Sequence, residues 1–492
     1  MFNKFASQEM PSIIFDHRPV AYATGQCDAC PPTLPISAEE SNTPPVSEYH
    51  LAYITASLEL GRGMHLVCTA DSSRPVLLND QGWNLFSHLA NQQPITGSLT
   101  GTAFGGFGQS LVAAGLLLPG SGKTTLKEQN HILTSWLHLT DRCNLRCSYC
   151  YLPHVREDMS LETGYAAIDA IFRSALGNGF KQIKIKYAGG EPLICFETLV
   201  VLHAYAQQLA DKQELILDGV VLSNGTLLTI EMVEILKTSG LRLMISLDGL
   251  GQYHDSHRPY AGGRGTFADV SEAVDLALAH GITPDISITV STRTADGLAE
   301  VIAWILSRDL PFSLNFYREN ELSTSHTDMH LKDEKIIHGV LAAYKVIEEQ
   351  LPQRSLLAAL IDRANLAVPH IHTCGVGQNY LVFDQNGQVA KCQMHIRKPV
   401  TDIHAEDPLA LIRADQSGIQ NLPVMEKEGC KTCEWKHWCT GGCPLETHRA
   451  TGQYDVKSPN CNIYKALFPE ALRLEGLRLL KYQDNSEVVT KL

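Results

Sequence analysis

The chain has 492 residues, room for roughly two to four domains, and 44% of them are apolar, an ordinary level for a protein with a buried core. Its formal net charge of −13 argues against a general nucleic-acid binder. No run of about 18 or more apolar residues occurs, so no membrane span is expected, and "MFNKFASQEMPSIIFDHRP" lacks the basic-then-apolar layout of a signal peptide. The expected location is the cytoplasm.

Residues 1–50 are rich in Pro, Ser and Thr and read as a poorly ordered segment. Residues 51–119 read as a small α+β, winged-helix-like unit. "MHLVCTADSSRPVLLND" is predicted to form two short strands, "GWNLFSHLA" a helix, and "FGQSLVAAGLLLPG" a short helix ending in an apolar strand or wing. Residues 120–131 read as a linker. "GSGKTT" there is similar to a phosphate loop, but the glycine required five positions before Gly122 is Leu117.

From 132 to 333, strand-like and helix-like runs alternate. "HILTSWLHL", "KQIKIKY", "GVVL", "LRLMISL", "PDISITV" and "FSLNF" are the predicted strands. Such alternation predicts an α/β fold with a parallel sheet, a partial (β/α)6 TIM-like barrel whose chemistry gathers at the C-terminal strand ends. Residues 334–369 read as a helical linker, and residues 370–492 as a loop-rich domain.

Ten of the fourteen cysteines fall in two groups, Cys143 to Cys150 and Cys374 to Cys461. In a reducing compartment such clusters read as metal or redox ligands rather than disulfides. Cys68 and Cys195 stand alone in apolar contexts and read as core residues. Cys27 and Cys30 ("CDAC") read as idle thiols, a redox pair or a distant ligand. Cys143, Cys147 and Cys150 follow the first barrel strand with the spacing C-x3-C-x2-C. Zinc normally takes four ligands in paired C-x2-C steps. Three thiolates on one short loop suit three irons of a [4Fe–4S] cube, with the fourth iron open.

This loop resembles that of the radical S-adenosylmethionine (SAM) superfamily, including the aromatic Tyr149 before the last cysteine. Further motifs follow in order at successive strand ends: "YAGGEPL", "LSNGTLL", "ISLDG" and "HDSHRP". The resemblance implies that Gly189, Gly190 and Glu191 hold the SAM amino group, and that Ser246, Asn224 and Arg258 contact its ribose and carboxylate. It also implies one-electron cleavage of SAM to a 5′-deoxyadenosyl radical that takes a hydrogen atom from the substrate. The electron would come from a donor such as flavodoxin or ferredoxin.

Twelve residues separate Cys374 from Gly387, and four separate Gly387 from Cys392; the later cysteines are spaced x2, x5 and x3. "LVFDQNGQVAKC" reads as a hairpin with Cys392 at its far end. The pattern resembles the SPASM auxiliary-cluster domain. By that resemblance Cys374, Cys392 and Cys443 hold one auxiliary [4Fe–4S] cluster, and Cys430, Cys433, Cys439 and Cys461 hold a second. The chain would then carry three clusters, and the fourth ligand of the first auxiliary cluster is not evident. A single zinc on Cys430, Cys433, Cys439 and Cys443 would leave Cys374, Cys392 and Cys461 unexplained.

SPASM enzymes mostly act on peptides. The layout of residues 51–119 resembles the element by which peptide maturases add a precursor's leader segment to a small sheet. Anaerobic sulfatase maturases carry an Asp base immediately after the second SPASM cysteine; here that residue is Gln393. The expected function is therefore a radical SAM peptide maturase that installs a thioether or carbon–carbon cross-link. Epimerisation, backbone excision and, less favoured, formylglycine formation are the enzymatic alternatives. An iron–sulfur electron carrier is the non-enzymatic one, against which the SAM motifs argue.

Overall fold

The computed structural model of the chain describes residues 11–15, 48–52, 54–69, 75–90, 95–96, 105–120 and 131–482. Cys27, Cys30 and the stretch 121–130, with most of "GSGKTT", lie outside the described residues.

Near the N-terminus come β1 (Ile13–Ile14), β2 (Glu48–Leu51), β3 (Ile54–Gly61), β4 (Met64–Thr69), β5 (Val76–Asn79), α1 (Asp80–Ala90), β6 (Ile95–Thr96), α2 (Gly105–Ala113) and β7 (Leu117–Pro119). They build a four-stranded sheet, β1-β5-β4-β3, and a three-stranded one, β6-β2-β7. Val67, Leu78, Phe86 and Leu111 meet in one apolar core between sheet and helices. The expected β4–β5 pair and both helices are present. Two parts differ from expectation. Ile13 and Ile14, within the segment read as poorly ordered, are buried and pair with β5. β3 was not anticipated, although Ile54, Ala56, Leu58 and Leu60 alternate with Thr55, Ser57 and Glu59 in the period-2 pattern of a strand.

The central sheet contains the six expected strands: β8 (Ile132–His138), β9 (Gln182–Ala188), β10 (Ile216–Ser223), β11 (Arg242–Ser246), β12 (Asp285–Val290) and β13 (Phe312–Phe316). All are parallel, in sequence order. Every residue of β8 is buried, as a strand covered on both faces requires. The connecting helices are α3 (Leu161–Gly177), α4 (Phe196–Gln213), α5 (Ile230–Thr238), α6 (Gln252–Asp255), α7 (Phe267–Ala279) and α8 (Leu298–Ser307). Ser160 caps α3 and Thr229 caps α5, each side-chain oxygen accepting a backbone N–H. The stretch Pro192–Gln213, which includes α4, is long and apolar enough to cross a membrane by composition alone. Here Leu199, Leu202 and Ala206 bury its apolar face in the core.

α9 (Asp333–Gln350) follows. The chain then returns to the same sheet. β14 (Tyr380–Phe383) pairs parallel with β8, and β15 (Gln388–Ala390) and β16 (Thr401–Asp402) continue it to nine strands. The expected hairpin is β14–β15, turning at Gly387 with φ +79°. Residues 380–402 are thus continuous with the barrel sheet, not part of a separate layer. α10 (Pro408–Ala414), α11 (Lys436–Cys439), α12 (Pro444–Thr451) and α13 (Cys461–Lys481) complete the chain. α13 packs on α9 and reaches β3, where a Cβ on Gly476 would lie 2.3 Å from a Leu60 methyl.

Near the N-terminal ends of β9–β12 lies a charge network. Arg242 bonds Asp218 at 2.7 Å and Asp285 at 3.1 Å, with Lys184 3.9 Å from Asp218. Burial pushes the Asp218 carboxyl up, but the Arg242 fork and Lys184 more than offset it, leaving it below its usual value. A depressed carboxyl stabilises the fold above its unfolded pKa, and that contribution is lost as pH falls through the folded value. Arg242→Met should therefore cost about 3 kcal/mol at neutral pH in urea unfolding. The gap to wild type should narrow below about pH 4.

Candidate functional site

At the C-terminal ends of β8–β13 lies a cavity of about 240 Å³. The loop after β8 carries Cys143, Cys147, Tyr149 and Cys150, all of which line it. This loop is fastened on two sides. On one, Arg146 N donates to Pro259 O (2.8 Å), Ser148 N to His257 O (2.9 Å) and Ala261 N to Asn144 O (2.9 Å). On the other, Gly190 N donates to Thr140 O (2.7 Å) and Glu191 N to Arg142 O (2.9 Å).

The second fastening explains the two glycines. A Cβ on Gly189 would stand 2.5 Å from Thr140 O, and one on Gly190 2.3 Å from Arg142 O. Only glycine lets the two backbones approach so closely. Both glycines line the cavity. Glu191, expected to meet an ammonium, is fully buried and its carboxylate is engaged by the chain. It accepts from Leu193 N (3.0 Å), Ser223 Oγ (2.8 Å) and Asn224 N (2.7 Å), tying the ends of β9 and β10 together.

Asn224 Nδ2 donates to Asn144 Oδ1 at 3.0 Å and points at Cys143 Sγ at 3.9 Å. Ser246 lines the opposite wall. Arg258 contacts the Tyr149 hydroxyl and lies 3.8 Å from Asp248. Tyr149 in turn donates to Asp248 (2.7 Å), which also accepts from Thr289 N (2.8 Å) and lies 3.4 Å from His257. Burial alone would raise the Asp248 carboxyl; Arg258 and His257 reverse that and hold it well below the usual carboxylate range. The site thus keeps a fixed anion behind Tyr149 and Arg258. Sequence reasoning missed Asp248 and His257 as functional positions, although both lie inside quoted motifs, "ISLDG" and "HDSHRP". It also missed Arg318, Arg363 and His154, which line the cavity and carry no motif. No Asp or Glu among the described residues lines it.

Burial pushes the Cys143 and Cys150 thiols up to about 12. Cys374 and Cys443 are buried and pack with Cys392, Cys150, Trp136 and Tyr380 in one cluster beside the cavity. Gln393, next to Cys392, lines the cavity and accepts a hydrogen bond from Tyr380 at 3.0 Å. Cys430, Cys433, Cys439 and Cys461 line a second, smaller hollow with Tyr464 and Phe468. Between Cys439 and Cys443 the backbone turns through Thr440, Gly441 and Gly442, with φ of +46°, +86° and +69°. That left-handed run sends the two cysteines to different hollows. Cys374, Cys392 and Cys443 thus pack apart from Cys430, Cys433, Cys439 and Cys461. Cys68 is in the core, as expected. Cys195 is not: it is half-buried and accepts from Arg142 at 3.6 Å, because the "PLIC" turn faces the cysteine loop. Among the described residues no three His, Cys, Asp or Glu converge tightly enough to hold a single metal ion.

Residues 137–305 match the Radical SAM superfamily. The chain is similar to the serine-type anaerobic sulfatase-maturating enzyme of Klebsiella aerogenes, with 24% identity over 63% of this chain and 78% of that enzyme. It is also similar to AlbA, the antilisterial bacteriocin subtilosin biosynthesis protein of Bacillus subtilis, with 27% identity over 64% and 67%. Among solved structures, native anSMEcpe with bound AdoMet and Cp18Cys peptide superposes with a TM-score of 0.58 and 19% identity, covering 70% of this chain and 99% of that one. That likeness establishes the fold.

The glycine fastening can be tested directly. Gly190→Ala should lower thermal stability by about 1–3 kcal/mol through its clash with the Arg142 carbonyl. It should also speed alkylation of Cys143. Gly262→Ala, where an added Cβ meets nothing within 4 Å, should change neither.

Proposed function

We propose that this chain, whose residues 137–305 are a Radical SAM domain, is a maturase that installs a thioether or carbon–carbon cross-link on a ribosomally made precursor peptide. The observation that carries this reading is the grouping of ten cysteines into one loop on the cavity and two C-terminal sets, one of them beside the same cavity.

The donor set fits iron–sulfur clusters. Cysteine thiolates are the ligands that such clusters take, and each of the three groups supplies at least three. Cys143, Cys147 and Cys150 would hold the SAM-binding cluster. Cys374, Cys392 and Cys443 would hold one auxiliary cluster, and Cys430, Cys433, Cys439 and Cys461 the other. With SAM bound, the first cluster supplies a 5′-deoxyadenosyl radical that abstracts a hydrogen atom.

The protein's own residues position and shield. Gly189 and Gly190 present backbone to the SAM amino group, with Glu191 bracing them from behind. Arg258, fixed by Tyr149 and Asp248, takes the SAM carboxylate, and Ser246 and Asn224 face the ribose side. The outer edge of β3, unpaired among the described residues, suits the addition of a leader segment as a further strand. Cross-linking is favoured over formylglycine formation by Gln393: an amide stands where that chemistry needs a carboxylate base, and no carboxylate among the described residues lines the cavity.

Anaerobically reconstituted protein should hold about twelve irons per chain. Replacing Cys143, Cys147 and Cys150 together by Ala should abolish 5′-deoxyadenosine formation; continued cleavage of SAM would refute the assignment of that loop. Co-expression with short reading frames neighbouring the gene should yield a peptide lighter by two hydrogens that resists aldehyde-specific labelling. An unchanged mass would point to epimerisation, a large loss to excision, and a labelled aldehyde to formylglycine chemistry.

A further inference from the structure

Between the two C-terminal cysteine sets lies a charge that the reaction above does not use. Lys427 is 1% exposed. Its Nζ donates to Thr440 O at 2.7 Å and to Thr373 Oγ1 at 3.4 Å. Thr373 immediately precedes Cys374, and Thr440 immediately follows Cys439, so the ammonium is held by one residue from each set. The Lys427 carbonyl accepts from Cys430 N at 3.1 Å. Its stem runs under the Thr440–Gly442 turn, where a Cβ on Gly441 would meet Lys427 Cδ at 2.6 Å and Nζ at 3.2 Å. That is a further reason for glycine there.

A buried ammonium costs several kcal/mol unless an opposite charge faces it. No carboxylate among the described residues does. The groups within electrostatic reach are sulfurs, Cys374 and Cys443 of one set and Cys430 and Cys439 of the other. Two neutral oxygens alone do not balance a full charge, whereas a cluster bound by thiolates on either side carries net negative charge.

We propose that Lys427 is a shared counter-cation of the two C-terminal sites, raising the reduction potential of the cluster at each. The inference rests on the reading of those sites as cluster sites given above. Each one-electron reduction adds a negative charge a short distance from a fixed positive one, so the cation favours the reduced form at both places. Lying between them, it also offsets the repulsion that would otherwise oppose holding electrons on both.

The test is a redox titration of the reconstituted protein followed by electron paramagnetic resonance. In Lys427→Met both auxiliary signals should move to more negative potential by about tenfold in the one-electron equilibrium, roughly 59 mV. The signal that depends on Cys143, Cys147 and Cys150 should stay in place as an internal reference, and Lys427→Arg should restore the wild-type potentials. Unmoved potentials with the iron retained, or a shift of one auxiliary signal alone, would overturn the proposal. If the Met variant fails to load its C-terminal iron while the Arg variant loads fully at wild-type potentials, charge is what the sites require, and the proposal holds. Loss of iron in both variants makes the role one of packing and overturns it. Wild-type protein with about four irons would instead sink the underlying cluster reading.

Discussion

Two backbone hydrogen bonds hold the site in place. Gly190 N to Thr140 O and Glu191 N to Arg142 O bind the end of β9 to the start of the cysteine loop. Everything at the cavity mouth is referred to that seam. Glu191, buried beneath it, carries the register on to β10 through Ser223 and Asn224, and Asn224 reaches back toward Cys143. Three strand ends and one loop thus form a single frame built from peptide groups and the buried Glu191 carboxylate. Such a frame suits a site that must place reacting atoms to within tenths of an ångström.

A second frame faces it. β14 joins the barrel sheet beside β8, so Cys392, at the end of the β14–β15 hairpin, packs with Cys150 beside the cavity, and Gln393 next to it lines the wall. The Thr440–Gly442 turn then parts Cys439 from Cys443, and Lys427 fills the space beneath it. The cavity is shut between a glycine seam on one side and a sheet extension on the other. Its charged walls are all basic, from Arg258, Arg318 and Arg363.

The parallel strands were legible because each is a short apolar run bounded by turn residues, and the ladder needs both faces covered. The first cysteine group was equally plain, since its close spacing keeps Cys143, Cys147 and Cys150 on one loop. What escaped is instructive. β3 went unread although Ile54, Ala56, Leu58 and Leu60 alternate with polar residues as a half-exposed strand requires. The pairing of β14 with β8 joins distant residues, and no local pattern encodes a parallel partner. Glu191 was read as a ligand because a carboxylate after two glycines invites that view. Its three internal hydrogen bonds come from groups on another strand and on the next turn, which spacing cannot reveal. Lys427 sits among charged residues in "VMEKEGC", where nothing local marks burial, and only the fold shows that its ammonium is enclosed. Cys195 was misplaced for the opposite reason: an apolar neighbourhood in sequence proved to be a turn facing Arg142.

The junction of β14 with β8 bears on how the protein is made. Asn379 Nδ2 donates to Ile132 O at that seam, 247 positions away, and Asn379 O accepts from Thr134 N. While the ribosome is still adding the intervening chain, one edge of β8 has no partner and its apolar surface stands open. The barrel can therefore finish only after residues 380–383 have emerged, and contacts so distant in sequence form slowly. Protection of that bare strand until its neighbour arrives is a task of that interval in the cell.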